Sequence, residues 1–587
     1  MHNPAFTPPP ALTTRPDLQG TFGMVSSTHW LATATAQSVL ERGGNAFDAI
    51  VAGAFVLHVV EPYQCGPGGD LVGIFATGSD PAHATVLMGQ GPAPAGATIE
   101  HYKAEGLDLV PGAGALAAAI PAAVDAWLLL LRDYGTWSVG DVLAYAIHYA
   151  RDGHPVCRAT CREIAESAQL FTTHWPTSAA RWLVGGRPPQ PGEMIYNPAY
   201  AATFDKVAAA AKGATREAAI DAARDAWAGI LGAAAEQFCR TPHWHSDGHE
   251  HAGVLTAADV AGFRASFEPA EWVPFRGHSV AKAGAWCQGP VLQQTLALLE
   301  PFDDAQLDPS TLAGAHTIIE AMKLAFADRE AWYGDCGEPD TIARLLDPAY
   351  LAARRALIGD KASDQLRPGQ LAGRPQPMLP PLREHYETPD GVVRADTCHI
   401  DVADRWGNVI AATPSGGWLQ SSPTIPELGF CLGTRLQMSW LDAASPSRLE
   451  PGRRPRTTLT PTLVASGDRT MACGTPGGDY QDQIQLLFLL RVLVGGYTPQ
   501  QAIDAPAFQT SALPNSFWPR TWRPAGVTAE SRLGTDVING LIRLGHRVDV
   551  TGAWSLGQMC TVTYDGASHI IGAAANSRGA QGYAAGR

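Results

Sequence analysis

Apolar residues recur at helical spacing through the first part of the chain. Trp30–Glu41 carries a 3.6-residue period and meets a helix stop at Gly43-Gly44. Asn45 then caps a second predicted helix that reaches about Val60. Phe47, Ile50, Val51, Ala54 and Phe55 mark its inner face, and Pro62 ends it. Leu71–Ala76 is an apolar run of strand length. Further helices are predicted at Ala122–Tyr134 and Val139–Arg151, over the Ala-rich stretch Ala201–Gln237, and from about Thr311 to Arg329.

Past residue 390 the period falls to two. Cys398–Asp404 alternates, with Ile400 and Val402 on one face. Arg405–Asn408 reads as a turn, and Val409–Thr413 as a second strand. Thr460–Ala465 and Arg469–Gly474 flank a Ser466-Gly467-Asp468 turn, and Asp479–Val494 predicts one long helix. The tail adds strands near Arg547–Val550, Gln558–Tyr564 and His569–Gly572. Early helices and late strands interleaved around a centre imply a layered α/β protein. Residues of about 368–390, rich in Pro and polar side chains, read as an extended, accessible linker.

Composition narrows the function classes. The 587 residues carry a formal charge of −14 without any Lys/Arg-rich run, so neither nucleic acid nor an anionic membrane is an expected partner. The N-terminus shows no basic region followed by an apolar one, and no apolar run approaches the roughly 20 residues of a membrane helix. With ten cysteines and no CxxC pairing, a reduced, cytoplasmic protein is expected. The Cys65–Asp70 loop is Gly-rich but fits no nucleotide motif and reads as a structural turn. His243, His245, His249 and His251 raise the question of a metal. No helix aligns them and no carboxylate or Cys pattern completes a set, so a solvated polar loop without metal is expected, and no cofactor is expected.

Chemistry concentrates at Asp396-Thr397-Cys398-His399, where the linker meets a strand. Cutting the bond before Thr397 would free an α-amine with a reference pKa of about 7.7–8.0. Such an amine can take the proton of its own side-chain hydroxyl. The same hydroxyl can attack the preceding carbonyl in an N→O acyl shift. Acyl transfer also needs N–H donors for the developing oxyanion. Gly474-Thr475-Pro476-Gly477-Gly478, between a strand and a helix, offers them. Taken alone, each segment also fits an ordinary structural reading: a strand Thr and a tight turn.

Together with other blocks, these residues resemble the γ-glutamyltransferase (glutathione hydrolase) family. Similar segments are Met24–His29, Gly43–Ala49, Val60–Pro62, Gly66–Gly69, Ala327–Arg329 with Tyr333–Asp335, Thr397–His399, Gly407-Asn408, Arg454–Thr462 and Gly474–Gly478. The likeness runs from about residue 20 to the end. It implies an αββα sandwich of the N-terminal-nucleophile hydrolase type. It also implies self-cleavage between Asp396 and Thr397 into a large subunit, 1–396, and a small one, 397–587, which stay together as one unit. By the same resemblance Thr397 is the nucleophile, Ser415 supports it, Gly477 and Gly478 form the oxyanion hole, and Thr457 and Thr458 hold a substrate carboxylate.

The departures concern substrate. Ile99 stands where the family carries an Arg for the α-carboxylate, Ser439 and Trp440 replace its acidic pair, and Gly417 stands where an Asn is usual. The segment Leu441–Gly452 is short, which implies that the lid of some relatives is missing. These changes point to a small-molecule amide with a non-standard acyl group. Arg435 and Trp440 are the candidate pocket residues, against a surface charge and a core residue as the plain readings. Ordinary γ-glutamyl specificity is one alternative, and an uncleaved binding protein is another. With cleavage, a homo-oligomer of such heterodimers is a further expected assembly.

Overall fold

The computed structural model describes residues 2–384 and 397–587. Two seven-stranded antiparallel sheets form its middle. One runs, edge to edge, through Tyr583–Gly586, Gly23–Ser27, Ile400–Asp404, Val409–Ser415, Asp70–Thr77, Asp80–Gly89 and Ser266–Pro269. The other runs through Leu18–Gly20, Ile570–Ala575, Cys560–Asp565, Arg469–Gly474, Thr462–Ser466, His278–Lys282 and Glu271–Phe275. Each sheet thus mixes strands from both sides of position 397.

Strand alternation explains the layering. Even positions Cys398, Ile400, Val402, Ile410 and Ala412 join the helical core built around Ala46–Val60 and Ala123–Tyr134. Odd positions Ala403, Val409 and Ala411 join Val72, Leu463, Ala472 and Val562 in the seam between the sheets. A second helical layer, Pro290–Leu299, Leu312–Trp332 and Gln481–Leu489, covers the outer face of the other sheet. The result is the expected helix–sheet–sheet–helix sandwich.

Ala46–Val60 is buried along its whole length, and its start is locked by a reciprocal cap between Asn45 and Asp48. Each large side chain on it contributes roughly 1.5–3 kcal/mol by burial. This helix backs the strand that carries Thr397.

Several expectations need adjusting. The Ala-rich stretch is two helices, Pro198–Ala210 and Arg216–Cys239, because Thr215 caps a fresh start after Gly213. The helix expected over 479–494 is three pieces: a 3₁₀ turn, Gly478–Tyr480, an α-helix, Gln481–Leu489, and a π-turn, Leu490–Val494. Arg547–Thr551 is a strand but belongs to a separate three-stranded sheet with Phe508–Thr510 and Gly526–Glu530. The histidine segment is not a solvated loop. His245 and His251 are buried, and the Nε2 atoms of His243 and His245 accept the backbone N–H groups of Ala115 and Leu116 at 2.9 and 3.0 Å. His251 bridges Glu105 and Asp247. Among the described residues no helix is long and apolar enough to cross a membrane.

Candidate active site

Thr397 sits at the mouth of the central strand pair. The antiparallel ladder that aligns Ile400 with Ala412 continues through a Cys398 N–H to Pro414 C=O bond of 3.1 Å and ends with Thr397 opposite Ser415. The two hydroxyls lie 3.3 Å apart. Both residues are buried. Ser415 is in turn aligned with Asp70 on the next strand. Period-two alternation puts Thr397, His399 and Asp401 on one face, toward the other sheet.

That face carries a network not anticipated from the sequence. His399 is hydrogen-bonded through Nδ1 to Thr413 Oγ1 at 2.9 Å and through Nε2 to Asp401 Oδ1 at 2.7 Å. Burial raises the Asp401 carboxyl to about 6, against the pull of the His399 ring. Gly474 lies directly against this imidazole: a Cβ there would stand 2.2 Å from its Cε1. The strand end that begins the Gly474–Gly478 turn is therefore held beside the strand that follows Thr397. Gly477 and Gly478 adopt φ of +124° and +54°, a backbone that favours glycine. Among the described residues no acceptor takes the N–H of either.

One loop ties this turn to the segment holding Arg435 and Trp440. Ser516 donates its N–H and hydroxyl to the Asp479 carboxylate at 2.7 and 2.6 Å. The Phe517 ring lies against Gly478, where a Cβ would meet it at 2.7 Å, and it also faces Trp418. The Trp518 N–H reaches Gln437 Oε1 at 3.1 Å. Arg520 donates to the carbonyls of Gln437 and Ser439 at 2.8 and 3.1 Å, and its guanidinium lies 3.9 Å from the centre of the Trp440 ring. No periodicity or motif marks this loop in the sequence.

Arg435 is buried and makes a two-pronged ion pair with Asp70, at 2.6 and 2.7 Å, with Trp418 nearby. It is therefore not a surface charge. Its partner strand is the one aligned with Ser415. Trp440 is buried, and its indole N–H has no hydrogen-bond partner among the described residues. Thr457 Oγ1 accepts the Leu459 N–H at 3.2 Å, whereas the buried Thr458 hydroxyl has no partner among the described residues. Ile99 opens a short helix, Ile99–Ala104, and packs on the cluster containing Leu436, Leu441 and Leu449. Gly417, at φ +63°, has no room for a side chain, since a Cβ would stand 2.9 Å from Gly69 N. Gly68 and Gly69 of the Gly-rich loop pack as closely on Cys431 and Ser415, so this loop is structural. Asp396 lies outside the described residues, as does the end of the linker from 385.

A cleft of about 470 Å³ opens beside the turn. Tyr63, Gln64, Arg158, Pro476, Gly477 and Tyr480 are among its walls. Gln64 also receives the thiol of Cys398, next to Thr397, at 3.5 Å. A buried hydroxyl, amides with free N–H groups and an adjoining cleft are the parts that acyl transfer requires.

The chain belongs to the Gamma-glutamyltranspeptidase family, whose pattern it matches over residues 32–586. It is 30% identical over 564 residues to the glutathione hydrolase-like YwrD proenzyme of Bacillus subtilis (strain 168), covering 94% of this chain and 97% of that one. Among solved structures, LmbA2991HD is 51% identical, with a TM-score of 0.94, and covers 98% of this chain and 100% of its own. A cephalosporin acylase from Bacillus halodurans is 26% identical, with a TM-score of 0.82, covering 100% of this chain and 99% of its own. These likenesses agree with the expected family and with the sandwich of the N-terminal-nucleophile hydrolases.

Proposed function

We propose that the chain is a self-processing amide hydrolase or acyl transferase with Thr397 as nucleophile, acting on an acyl group other than γ-glutamyl. The observation that carries this reading is the meeting of the Thr397 and Ser415 hydroxyls on a strand whose His399 packs on Gly474, the start of a turn in which the Gly477 and Gly478 N–H groups have no acceptor among the described residues.

Maturation would begin when the Thr397 hydroxyl attacks the carbonyl of Asp396. The amide C–N bond breaks as the ester forms, the amine receives the proton, and water then hydrolyses the ester. The product chain 397–587 starts with a free amine. In catalysis that amine takes the hydroxyl proton as the oxygen attacks a substrate amide, and the proton passes to the leaving amine. Gly477 and Gly478 N–H groups would stabilise the oxyanion, an effect of about 10²–10³ in rate per donor. Ser415 would hold the nucleophile's hydroxyl in line. Water or an amine then releases the acyl group.

Support for a non-standard acyl group comes from the head-group positions. Ile99 sits in an apolar cluster, Trp440 replaces an acid, and no side chain fits at Gly417. The relationship to an acylase agrees with that reading. Arg435, committed to Asp70, acts here as a support for the Ser415 strand rather than as a substrate ligand.

The test is denaturing electrophoresis and intact-mass measurement. Bands of about 40 and about 20 kDa, estimated from chain lengths, with the smaller starting at Thr397, are expected. Thr397→Ala should leave one chain of 62.0 kDa. A wild-type preparation that stays whole under conditions where it is folded would overturn the proposal and favour a binding protein. Rapid turnover of a γ-glutamyl anilide would retain the chemistry and restore γ-glutamyl specificity.

A further inference from the structure

Among the described residues, one trio of metal-ligating side chains converges: His316, Glu320 and His546. It lies apart from the histidine segment of 243–251, in the helical layer outside the second sheet. His316 and Glu320 are one helical turn apart on Leu312–Trp332 and so share a face. His546 follows the helix Thr535–Arg543, just ahead of the strand Arg547–Thr551. The two helices close tightly, since a Cβ on Gly540 would stand 2.5 Å from Leu312 Cδ2. All three side chains are buried, and their ligand atoms lie within 4.8 Å of one another.

Hydrogen bonds decide which nitrogens face the meeting point. His316 Nε2 lies 2.8 Å from the Gly359 carbonyl, which can only accept, so this nitrogen carries the proton. The lone pair of the neutral ring is then on Nδ1, 2.9 Å from His546 Nε2. His546 Nδ1 is buried without a partner among the described residues, so its surroundings do not hold a proton on Nε2 rather than Nδ1. A four-coordinate ion with bonds of about 2.0–2.1 Å sets neighbouring nitrogens about 3.3 Å apart, so the rings need to part by only a few tenths of an ångström. The Gly359 carbonyl already orients the His316 ring as an outer-shell partner does. Glu320 is fixed by Lys323 at 2.5 Å, by Arg367 at 3.1 Å and by the Ser363 N–H at 3.3 Å. These two cations compete with a metal for the carboxylate, and that competition can be measured.

We infer that His316 Nδ1, His546 Nε2 and a Glu320 oxygen bind a divalent transition metal of the zinc class, with water completing the shell. Two imidazoles and one carboxylate suit Zn²⁺ or Co²⁺, whereas Mg²⁺ and Ca²⁺ take oxygen ligands. On binding, both nitrogens donate lone pairs, and the His546 proton moves from Nε2 to Nδ1, so both rings stay neutral. The role is structural. His316 and Glu320 precede position 397 and His546 follows it, so the ion pins the two parts of the chain to each other. In a cleaved enzyme it becomes a staple between subunits. That last step rests on the Thr397 reading; the site itself does not.

Chelator-treated full-length protein, titrated with Co²⁺, should show the visible absorption of a four-coordinate ion, saturating at one equivalent and abolished by Zn²⁺. Zn²⁺ at about 100 times its dissociation constant should raise the melting temperature by about 2 °C. His316→Gln and His546→Gln should each weaken binding by more than the roughly 10- to 100-fold of an outer-shell change. Lys323→Met removes an opposing charge and should tighten binding by about 10-fold or more. His249→Gln, at an exposed histidine of the 243–251 segment, should leave the absorption unchanged. Absence of the Co²⁺ absorption in the wild type would overturn the site, and this readout needs no variant to fold. Absorption that persists in His546→Gln, or vanishes in His249→Gln, would overturn it too. In the cleaved protein Zn²⁺ should slow separation of the two chains in mild denaturant, and equal rates with and without it would overturn the staple. A chain that binds Co²⁺ yet never cleaves itself would overturn the Thr397 reading alone, so the two failures are distinct.

Discussion

Gly474→Ala tests whether the proposed oxyanion turn and the strand of the proposed nucleophile, Thr397, are held by one contact. The added Cβ would lie 2.2, 2.6 and 2.7 Å from Cε1, Nδ1 and Nε2 of His399. Ordinary contact begins near 3.4 Å, so ring and strand must separate by about an ångström. The imidazole cannot simply rotate away, because both nitrogens are bonded, to Thr413 and Asp401, and the residue is fully buried. Overpacking of this kind costs about 1–3 kcal/mol, and losing one of the two hydrogen bonds adds about 0.5–1.5. A total near 3 kcal/mol, spread over the unfolding entropy of 587 residues, lowers the melting temperature by only about 2–3 °C. The effect on chemistry is larger, since an ångström of misplacement costs about 100-fold in rate. Self-cleavage followed by electrophoresis over hours should therefore slow far more than stability falls. His399→Ala makes room for the Cβ, so the double variant should be little worse than His399→Ala alone, with a coupling of about 1–3 kcal/mol. Simple additivity of the two changes, or a Gly474→Ala chain that cleaves at the normal rate, would refute the argument.

Ser415→Ala removes the hydroxyl 3.3 Å from Thr397 Oγ1 and should slow both self-cleavage and amide turnover by about 3- to 10-fold, read by single-turnover kinetics. Arg435→Ala strands a buried Asp70 carboxylate and should destabilise the fold by about 3–5 kcal/mol, whereas the paired change Arg435→Met with Asp70→Leu should recover most of it in a denaturant titration. Asp401 contributes a pH dependence of definite sign. With its folded value near 6 and its unfolded value near 3.8, the native state binds more protons between those limits, so stability falls as pH rises from about 4 to 6. In the uncut Thr397→Ala background, the stability of Asp401 relative to Asp401→Asn should drop by up to about 3 kcal/mol across that window and stay flat above it. A difference that is constant from pH 4 to 7 would contradict the buried, proton-retaining carboxyl.

Much of the framework was legible because local signals agreed with tertiary need. Trp30–Glu41 carries its period and its stop, and Asn45 with Asp48 caps Ala46–Val60 where expected. The strand pair around Arg405–Asn408 follows from alternation alone. The breaks at 211–215 and 490–494 escaped because an Ala-rich or Leu-rich run keeps a helical period across a discontinuity that only packing imposes. In the site, Thr397 and the paired glycines stood out by residue type and context. The His399–Asp401 pair was visible in principle, as alternate positions after Thr397. The 515–520 loop was not, since its contacts to Asp479, Gln437 and Trp440 span from about 35 to 85 residues of chain and carry no local periodicity.

The way both sheets draw strands from either side of position 397 has a consequence for the mature enzyme. If the precursor is cut before Thr397, as proposed, neither piece retains a complete sheet, and the strand beginning at Ile400 lies between Gly23–Ser27 and Val409–Ser415. The fragments are interlaced and would remain joined under native conditions. After denaturation, recovery becomes a second-order search between two incomplete chains, slowed by dilution in a way that the precursor never is. Ageing from precursor to mature form would thus exchange a reversible fold for one maintained by the height of its unfolding barrier.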